Sequence, residues 1–240
     1  ERPYVIVHMP TSVDGKITGP FMDHEATKQI GAEYGKYRTE LQAQAWLYGT
    51  TTTKEFLKFR KPDQEEPTQV PDGDFVANDH ANLYYISVDT EGEIGWESGT
   101  FVNKGRPEAH VIELITEAVP IAYRSYLRKR NVSYILVGEK SLDCRLAMEK
   151  LYHLFHINKL LICGGGIVNY SFLQAGMVDE LSLFISPLTD GSLGKSSLFT
   201  QIEELNKGGA IEFEIKNLVQ IGKGGIHINY IPKNTIKRKE

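Results

Sequence analysis

Residues 159–177 read KLLICGGGIVNYSFLQAGM and combine the three parts of an α/β unit. Residues 160–163 form a short, continuous apolar run, which is typical of a strand buried on both faces. Three glycines follow, and the apolar residues after them lie mostly on one face of a helix that ends near Gly176. A strand, a glycine turn and a helix N-terminus aim backbone N–H groups and the positive end of the helix dipole at one point. Such a point suits a phosphate or diphosphate group.

The glycine triplet alone leaves two interpretations open, a tight turn without a ligand or a phosphate cradle. The Rossmann fingerprint does not fit, because Gly164 and Gly166 are correctly spaced but Asn169 occupies the third glycine position. The unit also lies late in the chain instead of opening the first βαβ. A dinucleotide on another fold stays compatible with the pattern.

The composition of the 240 residues argues against several classes of protein. Hydrophobic residues make up 41%, and no linker-like tract divides the chain, so we expect one domain over residues 1–240. A formal net charge of −4 and a pI near 6.0 give no electrostatic reason to bind nucleic acid or an anionic membrane. The two cysteines lack metal or disulfide spacing, and the sequence shows neither a signal-peptide pattern nor a membrane-spanning stretch. We therefore expect a cytoplasmic protein.

Apolar and β-branched runs predict strands that alternate with helices. The strands are expected at residues 4–9, 45–48, 82–88, 110–115, 133–137, 160–163, 178–185, 211–221 and 225–231, and the helices at 25–44, 54–59, 121–130, 143–156 and from 167 onward. Residues 60–81 are rich in proline and acidic residues and predict a surface loop or flap. The alternation indicates an α/β fold with a mostly parallel central sheet of about eight to nine strands. Helices should cover both faces, and the C-terminal edge should be antiparallel.

Polar or glycine-rich turns follow five of these strands and contain Asp14, the run GTTTT at 49–53, Asp89, Gly138 and the glycine triplet. Ligands of such sheets bind beyond the carboxyl ends of the strands, so we expect the turns to converge on one edge. Asp14 is either a turn former or a carboxylate that orients a polar substrate or a proton-carrying water. Each threonine could cap a helix, but four in a row exceed what capping requires and indicate phosphate contacts.

Several other chemistries have little support. The segment GSLGKSS at 191–197 lacks P-loop spacing, because Thr189 stands where the first glycine belongs. No Gly-x-Ser-x-Gly nucleophile elbow occurs. The only close histidine pair, His153 and His156, has no carboxylate or cysteine at ligand spacing, so we expect no metal site.

An ordered set of motifs resembles a known family over nearly the whole chain. The motifs are TSVDGK at 11–16, GTTTT at 49–53, LICGGG at 161–166, GMVDEL at 176–181 and ISPLTDG at 185–191 with Leu198 and Phe199. Together they resemble the reductase domain of riboflavin biosynthesis. The resemblance implies a dihydrofolate-reductase-like fold, NADPH as hydride donor and a homodimer. In riboflavin-pathway members the reaction reduces the ribosylamino side chain of a diaminopyrimidine phosphate, as in 5-amino-6-(5-phosphoribosylamino)uracil reductase.

The resemblance also implies roles for individual residues. The cofactor's phosphates and nicotinamide half would be held by Gly49, Thr50, Thr51, Thr52, Thr53, Gly164, Gly165, Gly166, Ile167 and Val168. Its adenosine end would lie near Asp89, Thr90, Val137, Gly138 and Lys140. Asp14 would be catalytic and face the substrate, while Arg38 and Cys163 would help to bind it. Hydride would pass from the nicotinamide C4 to an electrophilic carbon while the protein supplies position and a proton route.

Two departures from the family pattern keep the substrate open. Cys163 replaces a glutamate that usually precedes the glycines, and residues 55–57 (EFL) replace an acidic pair after the threonines. The leading hypothesis is an NADPH-dependent reductase of a small heterocyclic or carbonyl substrate. The alternatives are a non-catalytic nucleotide-binding protein of the same fold and a dihydrofolate-reductase-type activity. The preference for NADPH over NADH also stays open, with Lys140 as the candidate partner of a 2′-phosphate.

Overall fold

The computed structural model describes residues 1–63, 68–189, 191–202 and 208–238. Within these residues the chain forms ten strands and five α-helices. The strands are β1 (Tyr4–Thr11), β2 (Ala45–Tyr48), β3 (Tyr84–Val88), β4 (Thr100–Phe101), β5 (Ala109–Ile115), β6 (Ser133–Leu136), β7 (Lys159–Ile162), β8 (Glu180–Ile185), β9 (Phe213–Ile221) and β10 (Gly225–Pro232). The helices are α1 (Glu25–Glu40), α2 (Thr50–Phe56), α3 (Ile121–Lys129), α4 (Cys144–Phe155) and α5 (Gly166–Gln174).

Backbone contacts divide the chain into two compact units. The middle unit contains Gln44–Leu160 together with Glu1–Pro3 and Arg238–Glu240, of which residues 239 and 240 lie outside the described part. The flanking unit contains Tyr4–Ala43 and Leu161–Lys237. The expectation of one domain over the whole chain stays a prediction.

The middle unit is built on four parallel strands. β2, β3, β5 and β6 lie side by side in that order, and the short β4 pairs antiparallel with β5. Leu47, Ile86, Ile112 and Ile135, one from each parallel strand, are fully buried. Strands covered on both faces explain why the sequence here shows continuous apolar runs instead of alternation.

The flanking unit contains both parallel and antiparallel strand pairs. β1 runs parallel to β8, β10 runs antiparallel to β8, and β9 runs antiparallel to β10. Helix α1 packs against β1, where the His8 and Tyr34 rings stack with centroids 4.1 Å apart. The predicted α/β class, with mostly parallel strands and an antiparallel C-terminal pair, is confirmed.

Most predicted elements are found with their ends shifted by a few residues. The helix expected at 25–44 ends at Glu40, and Gln42 just beyond it has a φ of 47°, which no α-helix accommodates. β4 was not predicted, because two residues carry no periodic pattern. The strand count is therefore ten and not eight to nine within the described residues.

The segment predicted as a surface loop or flap, residues 60–81, lies partly along the edge of β6. Phe75 and Tyr134 exchange backbone hydrogen bonds of 2.8 and 2.9 Å. Asp74 accepts from the backbone N–H of Leu136 at 2.8 Å and from Lys150 Nζ at 2.9 Å. These bonds cover an otherwise open strand edge, which is a common way to protect a sheet from pairing with another chain. Residues 64–67 of this segment lie outside the described residues.

Candidate functional site

The loops of the middle unit meet at one edge of its sheet. Its four main strands are parallel and in register, so that Tyr48 lies opposite Ser87 and Val88 opposite Leu114. The turns at 49–53, 89–90 and 137–140 follow these strand ends and therefore share the carboxyl edge of this unit. Convergence of all five predicted turns stays a prediction.

The threonine run begins α2 and is used in more than one way. Gly49 is the N-cap residue of the helix, and it provides no side-chain hydrogen bond to the first backbone N–H groups. Thr50 Oγ1 donates to the Val88 carbonyl at 2.5 Å, and Thr53 Oγ1 lies 3.0 Å from the Tyr85 hydroxyl. Thr51 is exposed and Thr52 is partly exposed. The first and last threonines thus tie α2 to β3, and the middle two face the surface.

Asp89 is a buried carboxylate that folds the turn after β3. It accepts hydrogen bonds from the backbone N–H groups of Glu93 and Ile94 at 2.8 to 3.0 Å and from the Tyr123 hydroxyl at 2.9 Å. Burial nevertheless raises the pKa of Asp89. The Thr90 carbonyl accepts from Thr116 Oγ1 at 2.8 Å. Cofactor contacts of these two residues stay a prediction, and the Asp89 side chain has a structural task.

The turn after β6 requires a glycine at its centre. Gly138 has a φ of 126°, and a Cβ there would lie 2.1 Å from the Ser141 carbonyl oxygen. The Val137 carbonyl accepts from the Asp143 backbone N–H at 2.7 Å, which closes the turn onto the start of α4. Lys140 is exposed at its tip. Lys140 therefore places a positively charged side chain in the turn that follows β6.

In the flanking unit, the turn after β1 holds an ion pair. Ser12 Oγ donates to Asp14 Oδ1 at 2.6 Å, and Lys16 Nζ lies 2.8 Å from Asp14 Oδ2. These contacts, with a further hydrogen bond from Thr189, hold the pKa of Asp14 well below its usual range. Asp14 is thus an ionised carboxylate at neutral pH. The cation of this turn is the side-chain ammonium of Lys16.

Lys16 was missed as a site residue by the sequence reasoning, which singled out only Asp14. The Asp-Gly-Lys spacing could have indicated it, because Gly15 has a φ of 75° and turns the chain so that the two side chains meet. The Lys16 side chain is 14% exposed, which keeps its ammonium close to the carboxylate.

The three glycines after β7 have different structural tasks. Gly164 has a φ of 110°, which favours glycine, and its peptide bond to Gly165 is cis. A Cβ on Gly165 would meet no atom within 4 Å, so the space above it is open. A Cβ on Gly166 would lie 2.2 Å from the Ser197 carbonyl oxygen. Gly165 is therefore the position where a ligand could approach the backbone, and Gly166 is a packing position.

Helix α5 begins directly at this open space. Gly165 is its N-cap, and Gly166, Ile167 and Val168 form its first turn. The first backbone N–H groups of an α-helix have no partner within the helix, and the dipole adds partial positive charge. Phosphate or another anion is favoured at such a position. The predicted ligand chemistry of the triplet is consistent with this arrangement.

Residues 196–200, called the strap below, join the Asp14 turn to the start of α5. On one side, the Ile17 N–H donates to the Ser196 carbonyl and the Leu198 N–H donates to the Gly15 carbonyl, both at 2.9 Å. On the other side, the Thr200 N–H donates to the Gly166 carbonyl at 3.0 Å. The strap thus holds the charged turn and the glycine-opened helix start in one arrangement. The sequence patterns did not indicate it.

The two remaining predicted substrate residues lie in different parts of the flanking unit. Cys163 follows the last residue of β7 in the chain, and its side chain is buried. Arg38 lies in the last turn of α1, with its guanidinium carbon 5.8 Å from the centre of the Tyr34 ring. Their roles in substrate binding stay predictions.

Neither a metal cluster nor a membrane helix is found in the described residues. No group of three or more His, Cys, Asp or Glu side chains there is arranged to hold a metal ion. None of the helices in that part of the chain combines the length and the apolar character needed to cross a bilayer. Cys144 and Cys163 are both buried, and no disulfide joins them in the part of the chain that the structure describes.

Comparison with known proteins gives consistent matches. The family model described as the RibD C-terminal domain matches residues 3–227. The 2,5-diamino-6-ribosylamino-4(3H)-pyrimidinone 5′-phosphate reductase of Methanothermobacter thermautotrophicus is 31% identical over 118 residues. That alignment covers 48% of this chain and 53% of the relative, so it spans about half of the relative's length. The protein of the same name from Aquifex aeolicus is 25% identical over 198 residues, which is 80% of each chain.

Solved structures agree on the fold. A pyrimidine reductase-like protein from Corynebacterium diphtheriae superposes with a TM-score of 0.68 at 19% identity, covering 96% of this chain and 92% of that one. The riboflavin biosynthesis reductase of Saccharomyces cerevisiae gives a TM-score of 0.61 at 14% identity, with coverage of 96% and 90%.

Proposed function

Since this chain belongs to the RibD C-terminal domain family, we propose that it is an NADPH-dependent reductase of a small heterocyclic or carbonyl substrate. The first candidate substrate is the diaminopyrimidine ribosyl phosphate for which the two curated relatives are named. The observation that carries the proposal is the ion pair of Asp14 and Lys16, held by the strap to the glycine-opened start of α5.

The residues in place fit a nucleotide cofactor, which membership of a reductase family implies. The open space above Gly165 leaves room for a ligand against the backbone, and the first turn of α5 offers N–H groups for a phosphate. We assign Gly164, Gly165, Gly166, Ile167 and Val168 to one part of the cofactor. In the middle unit, cofactor contacts of Gly49, Thr50, Thr51, Thr52, Thr53, Asp89, Thr90, Val137, Gly138 and Lys140 stay predictions. When bound, NADPH supplies a hydride.

The chain's own contribution to the reaction is a positioned proton. Reduction of a carbon–nitrogen or carbon–oxygen double bond adds a hydride at carbon and a proton at the heteroatom. Asp14 has no proton to give, because its pKa is held low, so we assign the donor role to Lys16 Nζ. The Asp14 carboxylate fixes the ammonium in place, and the neutral amine regains a proton from water after the step.

Selection of the cofactor and the substrate rests on three other residues. Lys140 is an exposed cation at the middle-unit edge and would pair with the 2′-phosphate that distinguishes NADPH from NADH. Arg38 is assigned to the substrate's phosphate, and Cys163 to its sugar side chain. A neutral thiol at 163 forms weaker hydrogen bonds than a carboxylate, which favours the non-catalytic nucleotide-binding protein as the second candidate.

We also propose that the protein is a cytoplasmic homodimer. β9 is an edge strand exposed along nearly its whole length, and its side chains Ile215, Leu218 and Val219 are 57%, 54% and 47% exposed. An edge strand with apolar side chains and open backbone groups favours pairing with a second strand. A second copy of this chain offers the same strand, as a two-fold interface requires.

The proposal is tested by following NADPH oxidation with the purified protein. The diaminopyrimidine ribosyl phosphate and dihydrofolate are offered in parallel, and NADH replaces NADPH as a control. Lys16→Met is the matched variant, since it removes the proton donor and leaves the glycines unchanged. We expect turnover of the pyrimidine by the wild type and its loss in Lys16→Met with NADPH binding retained. NADPH binding without turnover of any substrate would support the non-catalytic candidate, and no binding would overturn the cofactor assignment.

A further inference from the structure

We propose that Asn169 is a positioning residue that sets the place of the Lys16 ammonium relative to the glycine triplet. The inference rests on the proposed reductase function, because it assigns Asn169 a role in that reaction. Asn169 lies in α5 and is fully buried. It acts through the strap and not by touching the reacting atoms.

The connection passes through a single residue of the strap. Asn169 Nδ2 donates to the Leu198 carbonyl at 2.8 Å, and the Leu198 N–H donates to the Gly15 carbonyl at 2.9 Å. Gly15 lies between Asp14 and Lys16, whose side chains form the ion pair. The Asn169 amide is therefore connected to the Asp14–Lys16 turn through the carbonyl and the N–H of a single residue, Leu198.

The orientation of the Asn169 amide follows from its partner. A carbonyl oxygen only accepts hydrogen bonds, so the atom facing Leu198 must be the amide nitrogen. The other end, Oδ1, is buried without a hydrogen-bond partner. A buried acceptor without a donor is unfavourable. The side chain thus makes the strap contact although one of its polar atoms is left unsatisfied.

The chain offers a matched control at the other end of the same helix. Asn234 Nδ2 donates to the Leu173 carbonyl of α5 at 2.8 Å, and its Oδ1 is also buried without a partner. Asn234→Ala and Asn169→Ala therefore remove the same kind of bond next to α5. Only Asn169→Ala removes a hydrogen bond to the strap.

The expected effects separate turnover from cofactor binding. A small displacement of a catalytic group is enough to lower turnover by about 10- to 100-fold. We expect a loss of this size in kcat for Asn169→Ala and a change within about twofold in its NADPH affinity, because Gly165 and the first N–H groups of α5 are untouched. Asn234→Ala should keep wild-type kcat.

Asn169→Asp gives a second variant with a pH readout. A protonated carboxyl can donate to the Leu198 carbonyl as the amide does, whereas an ionised carboxylate repels it. Burial raises the pKa of a carboxyl, so protonation should begin well above the ordinary range for aspartate. Activity of Asn169→Asp relative to wild type should therefore rise as the pH falls from about 8 to about 6, and Asn234→Asp should show no such rise.

Hydrogen exchange tests the strap without any need for activity. In Asn169→Ala the amides of Gly15, Ile17 and Leu198 should exchange faster than in wild type, and in Asn234→Ala they should not. Equal loss of kcat in both alanine variants, or unchanged exchange in a folded Asn169→Ala, would overturn the proposal. If the wild type reduces no substrate, the proposed function fails, and the exchange data still decide whether Asn169 holds the strap.

Discussion

Gly165 and Gly166, neighbours at the start of α5, provide a paired test of the cofactor site. Gly165 has φ −79° and ψ −173°, an extended conformation open to any residue, and a Cβ there meets no atom within 4 Å. A Cβ on Gly166 would lie 2.2 Å from the Ser197 carbonyl oxygen and 2.7 Å from Thr200 Oγ1. Alanine at 165 thus points into open space, whereas alanine at 166 collides with the strap.

The size of each effect follows from these distances. Real Cβ atoms essentially never lie closer than 3.0 Å to another heavy atom, so Gly166→Ala must push the Ser197 carbonyl back by about 0.8 Å. Overpacking of this kind costs about 1–3 kcal/mol. In a chain of this length that lowers Tm by roughly 2–4 °C for each kcal/mol. Gly165→Ala should change stability by no more than about 0.5 kcal/mol, and its methyl group should weaken NADPH binding at least about tenfold, which is about 1.4 kcal/mol.

The assays are thermal unfolding without ligand and calorimetric titration with NADPH. We expect Gly166→Ala to lose stability and Gly165→Ala to lose affinity while its Tm stays at the wild-type value. A folded Gly165→Ala that binds NADPH as tightly as wild type would refute the assignment of the open space to the cofactor. A wild-type Tm for Gly166→Ala would contradict this expectation, because it would show that the Ser197 carbonyl moves away from the new methyl group without lowering the free energy of unfolding.

Four further predictions concern other parts of the chain. Asp14→Asn should lower kcat about 100-fold with little change in NADPH affinity, and equal loss of both in steady-state kinetics and titration would make Asp14 structural. Cys163→Glu should raise turnover of the diaminopyrimidine ribosyl phosphate, and no gain would place the substrate determinant elsewhere. Burial raises the pKa of Glu113 well above its ordinary value of 4.5, so the folded state binds a proton that the unfolded state has lost. The free energy of unfolding of the wild type should therefore fall as the pH rises above 4.5. Glu113→Gln can still accept a hydrogen bond from Trp96 and should flatten this pH dependence in denaturant titrations. Leu218→Lys should shift the protein to a monomer in light scattering, and an unchanged mass would remove β9 from the dimer contact.

Local patterns were sufficient to predict most of the secondary structure. β2 was predicted and found at residues 45–48, because a short apolar run between polar segments suits a strand covered on both faces. The two-residue β4 escaped prediction, since it forms only by pairing with β5. The segment at 60–81 carried no sign that Phe75 would pair with Tyr134, which is far away in sequence.

The sequence singled out the glycines and charged residues of the candidate site, and their functional roles stay predictions. Asp89 was expected beside a cofactor, which stays a prediction. Only the structure shows that its carboxylate also accepts hydrogen bonds from the backbone of Glu93 and Ile94 and from the Tyr123 hydroxyl. Thr50 and Thr53 were grouped with their neighbours, although their hydroxyls contact β3. These partners come from other segments, so no local spacing could identify them.

The sequence by itself determined the alternation of strands and helices, the glycine turn before α5 and the Asp14 turn, because each depends on the conformational preferences of neighbouring residues. Only the tertiary structure decided that Gly165 is open while Gly166 is packed, and that the strap links the Asp14 turn to the start of α5. The physical reason is that these features are hydrogen bonds and contacts between segments up to about 180 residues apart, and their energy depends on distances that a linear pattern does not contain.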